Sequence, residues 1–511
     1  MEPGTAPPGP AGRIAHREVE RVTRNERDVS TEQIEARLAG LDLDARWSAP
    51  PPAGFAGVTE DSRRVGPGDL FCAVTGRTVD GHAYVADAAE AGARAAVVER
   101  EVPGTEIPQL VVSDTRTALA HLAALFHGDP SDELELTAIT GTDGKTTTAW
   151  ILRHLLAAVG PAGSLGTLGV VGPDGRRSSG DLTTPRAVET CRELAALRER
   201  GARRVAMEVS SHALDQRRVD GLAFENVVLT NLSREHLDYH RDMEDYRDAK
   251  LRALELLRPG GACVANADEP AWSAIVDPRP ITYGLAPEAD VRASAVRPTG
   301  SGSRWRLEAA GETAEVRLPL PGDFNVHNAL AAAAVALRTG LGVEEVARKL
   351  GDVPQVPGRM EVLARTPCLV VRDYAHTPDA LRRALHQVRP ASGRVVVVFG
   401  CGGDRDRGKR PLMGRAAAEA ADLAVVTTDN PRSEEPAVIA RQAVEGMEGG
   451  RHEVVLDRRE AIARALEEAG PGDVVLLAGK GHEDYQDLGD ERVPFDEAAI
   501  VRELTSGGGT A

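Results

Sequence analysis

An apolar strand that runs straight into a glycine loop and then a helix constrains this chain more than any other feature. Leu134-Glu135-Leu136-Thr137-Ala138-Ile139-Thr140 leads into Gly141-Thr142-Asp143-Gly144-Lys145-Thr146-Thr147-Thr148, after which Trp150, Ile151, Leu152, Leu155 and Leu156 follow a helical pattern. The glycines let backbone approach a ligand closely, and the amides at a helix start near Thr146 offer donors to phosphate oxygens. Lys145 has the reach for the outer phosphates of a nucleotide, and the Thr146 hydroxyl suits Mg2+. The first glycine stands three residues before Gly144, a shortened form of the usual loop. By itself the loop leaves kinase, switch GTPase, transporter and ligase open.

The rest of the chain supplies a frame for that loop. At about 150 residues per domain, 511 residues predict three domains. Residues 1–45, rich in Pro, Gly and charge at their start, read as an unstructured extension. Residues 46–130 carry short apolar runs (Asp69 to Val74) and an Ala-rich helical stretch near Tyr84 to Ala95. Residues 131–355 alternate strand and helix patterns and close on an apolar helix, Asn328 to Thr339. Asp352 to Gly358, with two prolines and a glycine, reads as a hinge before residues 356–511. There the apolar strands Cys368 to Val371, Arg394 to Phe399, Ala424 to Thr427 and Val474 to Ala478 alternate with helices, so a mostly parallel sheet is expected.

Composition excludes several classes. A net charge of −17 is unsuited to general nucleic-acid binding, which needs Lys and Arg to displace phosphate counterions. There is no apolar run of the ~18 residues a membrane helix needs, and the N-terminus lacks the apolar core of a secretory signal. Five cysteines without CxxC spacing argue against a zinc site or disulfide framework and fit the cytoplasm.

Further motifs narrow the chemistry. Met207 to Leu214 (MEVSSHAL) precedes Gln216 and Arg218, then Thr230 to His240 (TNLSREHLDYH) and Met243 to Lys250 (MEDYRDAK). Downstream come Gly322 to Asn328 (GDFNVHN), Pro357 to Glu361 (PGRME), Asp373 to Pro378 (DYAHTP), Phe399 to Asp406 (FGCGGDRD), Asp429 to Arg432 (DNPR) and Gly479 to Glu483 (GKGHE). With GTDGKTTT, this ordered set resembles the Mur ligases, and within them the MurE type, over about residues 57 to 490.

That resemblance implies an α/β fold of three domains. A small N-terminal domain would bind a UDP-linked substrate, a central P-loop ATPase domain would carry a mostly parallel sheet, and a Rossmann-like C-terminal domain would bring the amino acid. It implies ATP-dependent addition of an amino acid to UDP-N-acetylmuramoyl-L-alanyl-D-glutamate through an acyl phosphate, in peptidoglycan precursor synthesis, by a monomer. Lys145, Glu208, His236 and Lys250 would be catalytic. Thr146, Glu208, His236 and a carbamylated Lys250 would hold Mg2+. ATP would meet Gly141, Thr142, Asp143, Gly144, Lys145, Thr146, Thr147, Asn328, Arg359, Asp373 and His376. Ser62, Thr183, Thr184, Ser210, Gln216 and Arg218 would contact the UDP-linked substrate.

The added amino acid is expected to be meso-diaminopimelate. The resemblance implies this, since MurE-type enzymes that add it carry DNPR and those that add lysine generally lack that arginine. Diaminopimelate has one carboxylate more than lysine, and an arginine fork suits that group. Arg405, Asp429, Asn430, Pro431, Arg432, Gly479 and Glu483 would form the pocket. The competing expectations are L-lysine or another amino acid, the same chemistry in a secondary pathway, and a nucleotide switch without ligase activity. Pairing of Arg432 with Glu434 or Glu435 is the structural alternative.

Overall fold

A computed structural model describes residues 28–76, 79–178, 180, 182–299 and 302–506. The fold is α/β, and the chain divides into two compact units, the first ending at Thr282 and the second beginning at Tyr283.

In the first unit, the strands Val58–Thr59, Leu70–Cys72, Ala95–Val98 and Gln109–Val111 run parallel, with Arg46–Trp47 antiparallel on the edge beside Gln109–Val111. Its second sheet has a parallel core in the order Ala162–Gly166, Arg204–Glu208, Glu135–Thr140, Phe224–Leu229, Leu257–Asn266. The expected first block and the start of the second share one apolar core. Leu119, Leu122 and Ala123 of the helix Thr115–Phe126 and Leu194 and Leu197 of the helix Ala187–Glu199 belong to the same buried cluster.

Two expectations change in this region. Of the stretch 1–45 expected to be unstructured, residues 1–27 lie outside the described residues, but Val29–Ser30 is a strand and Thr31–Ala39 a helix. The helix forms because Ser30 and Gln33 cap its first turn reciprocally, while Ile34 and Leu38 point into the core. Four residues apart, those two apolar positions share a face that the surrounding charge obscures. The helical stretch near Tyr84 to Ala95 is also shorter than expected. It ends at Glu90, and Ala95 opens a strand whose four residues are all buried.

The second unit opens with an antiparallel sheet, Val291–Thr299, Gly302–Ala309 and Glu312–Leu318, packed by the helices Phe324–Arg338 and Val343–Gly351. Its larger sheet has the order Glu361–Ala364, Leu369–Asp373, Val474–Ala478, Val395–Phe399, Leu423–Val426, His452–Val454, all parallel except the first. The unbroken run Val395-Val-Val-Val-Phe399 marks a strand covered on both faces. Val395, Val397 and Phe399 pack with Leu381, Met413 and Ile439, whereas Val396 and Val398 pack with Ile462 and Val501. Among the described residues no helix is long and apolar enough to cross a membrane.

Arg458 and Glu497, both fully buried, tie two helices of the second face to this sheet. Arg458 Nε donates to Glu497 Oε1 at 2.8 Å, and its Nη2 donates to the Ala478 carbonyl at 3.0 Å. Removing one partner of such a pair strands the other charge at a cost of about 3–5 kcal/mol. Arg458→Met should therefore lower hydrogen-exchange protection of the Val474–Ala478 amides at least ~100-fold, and Arg458→Met with Glu497→Met should restore most of it. Unchanged protection in the single variant would remove the pair from this account.

Candidate active site

Strand Glu135–Thr140 ends at a loop that only glycine can open. Gly141 has φ +143°, and a Cβ there would sit 1.9 Å from Thr230 Oγ1. Gly144, at φ +85°, caps the helix Lys145–Leu156, which starts one residue before the expected Thr146. The strand-end segment 230–233 holds the loop from behind. Thr142 N donates to the Asn231 carbonyl at 2.8 Å, Asp143 N to Asn231 Oδ1 at 2.9 Å, and Thr230 Oγ1 to the Asp143 carbonyl at 2.8 Å.

Two lysines meet at this turn. Lys145 Nζ donates to the carbonyls of Gly141 at 2.9 Å and Thr142 at 2.7 Å, and Lys250 Nζ donates to the same Gly141 carbonyl at 2.8 Å. Lys250 comes from the helix Met243–Leu251, is 1% exposed, and lies over the Tyr246 ring at 4.1 Å. Burial, and next the Lys145 charge, hold its amine well below the usual lysine range. A larger share of it is therefore the uncharged, nucleophilic form.

Glu208, at the end of strand Arg204–Glu208, is 2% exposed and bound from three sides. Its Oε2 accepts from Thr146 Oγ1 at 2.9 Å and Thr167 Oγ1 at 3.1 Å, and its Oε1 from Thr167 N at 2.8 Å. Thr147 is buried in the same first helical turn. His236 stands at φ +56°, a left-handed conformation that costs a non-glycine residue about 1 kcal/mol or more. Its ring meets the edge of His212 at 4.7 Å between centroids. Burial keeps His236 below the usual imidazole range and, with the His236 and His240 charges, brings His212 down to about 4. Both shifts favour the neutral ring. Among the described residues no group of three or more His, Cys, Asp or Glu could hold a metal by itself. A hard cation here would need hydroxyl or phosphate oxygens beside Glu208, and Thr146 supplies one such hydroxyl.

The residues expected to touch the UDP-linked substrate form one polar network, Ser62 excepted. Thr184 Oγ1 donates to the Glu208 carbonyl at 3.0 Å and accepts from Ser210 N at 3.0 Å. Arg218 Nη1 donates to the Thr184 carbonyl at 2.8 Å and Nη2 to Gln216 Oε1 at 2.7 Å, and Thr183 Oγ1 lies 3.1 Å from Thr167 Oγ1. Ser62 opens a separate short 3-10 turn and, among the described residues, makes no hydrogen bond to that group.

In the second unit, DNPR, GKGHE and the glycine loop after Phe399 come together. Asn430 Nδ2 donates to Glu483 Oε2 at 2.8 Å, and a Cβ on Gly479 would meet Asp429 Oδ2 at 3.6 Å. A Cβ on Gly402 would lie 3.0 Å from Arg432 Nη1 and 3.5 Å from the Arg405 stem, so both arginines border one space. Pro431 is buried between its neighbours. Arg432 does not take the alternative partners. Its Nη1 donates to the Gly403 carbonyl at 2.8 Å and its Nε faces Asp487 Oδ2 at 3.7 Å, while Glu434 is held by Arg410 at 2.8 Å and Arg407 at 3.1 Å. Arg432 and Asp404, at φ +50° and +51°, line a cavity of about 560 Å³ with Ser433, Asp487 and Asp490.

Residues expected at the nucleotide's far end fall into two places. The Arg359 guanidinium stacks on the Tyr374 ring at 4.7 Å, Asp373 accepts from Met360 N at 2.9 Å, and His376 Nδ1 lies 2.9 Å from the Tyr374 carbonyl. Asn328 is buried on the helix Phe324–Arg338, where its amide donates to Asn325 Oδ1 at 3.0 Å. Sequence reasoning overlooked Thr167, Tyr246, Lys480 and Asp487. Lys480 stood inside the quoted GKGHE and Tyr246 inside the quoted MEDYRDAK, both without a role; Thr167 and Asp487 carry no signal outside the fold.

Comparison with known proteins covers most of this chain. Family models described as "Mur ligase family, catalytic domain", "Mur ligase middle domain" and "Mur ligase, glutamate ligase domain" match residues 55–127, 139–336 and 358–481. The chain is 44% identical over 457 residues to the UDP-N-acetylmuramoyl-L-alanyl-D-glutamate–2,6-diaminopimelate ligase of Geobacillus kaustophilus, spanning 86% of this chain and 93% of that protein. It is 43% identical to the ligase of the same name from Gloeobacter violaceus, over 92% and 97% of the two chains. A solved structure with that ligase name aligns with a TM-score of 0.65 at 32% identity, covering 95% of this chain and all of the other. MurF from Acinetobacter baumannii, 21% identical with a TM-score of 0.60, shares the fold. Likeness sustained through three domains in the same order has one meaning: the chain belongs to the Mur ligase family.

Proposed function

We propose that the protein joins meso-diaminopimelate to the D-glutamate carboxylate of UDP-N-acetylmuramoyl-L-alanyl-D-glutamate, using ATP, in the synthesis of peptidoglycan precursors. The observation that carries this is the glycine loop whose Thr146 hydroxyl meets the buried Glu208 carboxylate at 2.9 Å while Lys145 and Lys250 share the Gly141 carbonyl. A carboxylate is a poor electrophile. Transfer of the γ-phosphoryl group to it gives an acyl phosphate, which the incoming amine attacks as inorganic phosphate leaves. Positioning and charge neutralisation are what a protein contributes to such a transfer.

Lys145 turns from the loop carbonyls to the outer phosphates, and the amides at the helix start hold the others. Thr146, Glu208, His236 and modified Lys250 are the residues that would hold Mg2+, which supplies charge neutralisation at the phosphates. Lys250 suits carbamylation because its amine is buried and depressed. Its Nζ forms a bond to the carbon of CO2 and loses a proton, which makes a neutral amine into an anionic oxygen ligand. Thr183, Thr184, Ser210, Gln216 and Arg218 face the UDP-linked peptide; Asn328, Arg359, Asp373 and His376 face the adenosine. Nucleotide-linked substrates of this kind put the work in the cytoplasm.

For the amino acid, Arg432 is the natural partner of the carboxylate that distinguishes diaminopimelate from lysine, with Arg405 beside it. Asn430 and Glu483 suit the ammonium end. The names of the relatives support this choice, since those proteins are 2,6-diaminopimelate ligases.

Phosphate release should require the UDP-dipeptide and diaminopimelate together, with lysine and ornithine poor substitutes in parallel assays. Efficient turnover with lysine instead would overturn the assignment of the amino acid. Arg432→Ala should raise the diaminopimelate KM ~10–100-fold, as expected for losing charged hydrogen bonds, and an unchanged KM would exclude it from the pocket. Lys250→Ala should abolish turnover yet bind ATP, and short carboxylic acids should restore part of the rate. Full activity of that variant would eliminate the carbamate.

A further inference from the structure

A lysine without any exposed surface lies at the centre of the amino-acid pocket. Lys480 is 0% exposed, and its Nζ faces Asn430 Oδ1 at 3.0 Å, Asp429 Oδ1 at 3.4 Å and Glu483 Oε2 at 3.4 Å. An ammonium group has three donors and no acceptor, so every atom turned towards it must accept. This decides the Asn430 amide. Its oxygen points at Lys480 and also accepts from Asp487 N at 3.0 Å, and its Nδ2 is thereby aimed at Glu483 Oε2 at 2.8 Å. Glu483 spends that one oxygen on both partners. Among the described residues no hydrogen bond reaches its Oε1, which leaves that atom for an incoming ammonium.

We infer that Lys480 is a positioning residue for amino-acid recognition, fixing the orientation of the Asn430 amide and of the Glu483 carboxylate. Without it, the buried Asp429 and the half-buried Glu483 are two carboxylates with no cation between them, and the Asn430 oxygen has lost the partner that sets its direction. Burial already raises the Glu483 carboxyl above its ordinary range, and Lys480 opposes that rise. The lysine thus favours the charged form of Glu483 without touching the ligand. The inference rests on the diaminopimelate reading of this pocket.

The test compares Lys480→Met and Lys480→Gln with the unsubstituted protein, varying ATP, UDP-dipeptide and diaminopimelate in turn and recording thermal melting. The diaminopimelate KM should rise ~10–100-fold, as for the loss of charged hydrogen bonds, while the other two KM values stay within about twofold. In a Glu483→Gln background, adding Lys480→Gln should cost less than the product of the separate effects, because the carboxylate needing the cation is gone. A folded Lys480→Gln with an unaltered diaminopimelate KM overturns the inference. So does an equal rise in all three KM values, or failure of both variants to fold, since either leaves Lys480 a support of the fold alone. Should the unsubstituted protein release no phosphate in response to diaminopimelate, the diaminopimelate reading itself falls, before any variant is compared.

Discussion

The Gly141 carbonyl is the point on which the first unit's site depends. Two lysine side chains donate to it through Nζ, and the residue bearing it adopts a backbone shape closed to any side chain by Thr230. Burial, and next the Lys145 charge brought to the same oxygen, depress the protonation of Lys250, which has almost no water around it. The same carbonyl therefore anchors the lysine proposed to reach phosphate and the one proposed for modification. Replacing Gly141 would disturb both at once.

Around that point the sheet acts as a positioning device. Strands Glu135–Thr140 and Arg204–Glu208 pair in parallel with Ile139 opposite Glu208, so the loop and the carboxylate leave the sheet at the same edge. Phe224–Leu229 pairs on the other side with Leu229 opposite Thr140, which delivers Asn231 to the back of the loop. Parallel strands end together, and their following loops gather where a ligand is bound. The second unit repeats the device, with Val474–Ala478 central between Leu369–Asp373 and Val395–Phe399, the three strands leading into GKGHE, DYAHTP and the glycine loop. Asp429 follows Leu423–Val426 on the same sheet.

Much of this was legible in the chain. The central strands of the second unit announce themselves by unbroken apolar runs, and the phosphate loop by glycine, lysine and threonine at fixed spacing between strand and helix. The grouping of Asp429 to Arg432 with Gly479 to Glu483 came only from resemblance, because about fifty residues separate them and only the sheet brings them together. Other features had no local signature. The helix Thr31–Ala39 has just two core-facing apolar residues four positions apart among charges, too thin a stripe to read. Thr167 and Tyr246 matter through contacts made across the fold. Lys480 has the residue type most often found in solvent, and nothing along the chain marks it as enclosed.

The central claim is that a substrate carboxylate is activated by taking up a phosphoryl group at this loop. The most direct measurement follows oxygen. With the D-glutamate side-chain carboxylate of the UDP-dipeptide labelled with heavy oxygen, one turnover in the presence of ATP and diaminopimelate should yield inorganic phosphate carrying a single labelled atom, the other remaining in the new amide. Phosphate free of label, with product formed, would mean that the carboxylate never joined the phosphoryl group, and would contradict the account.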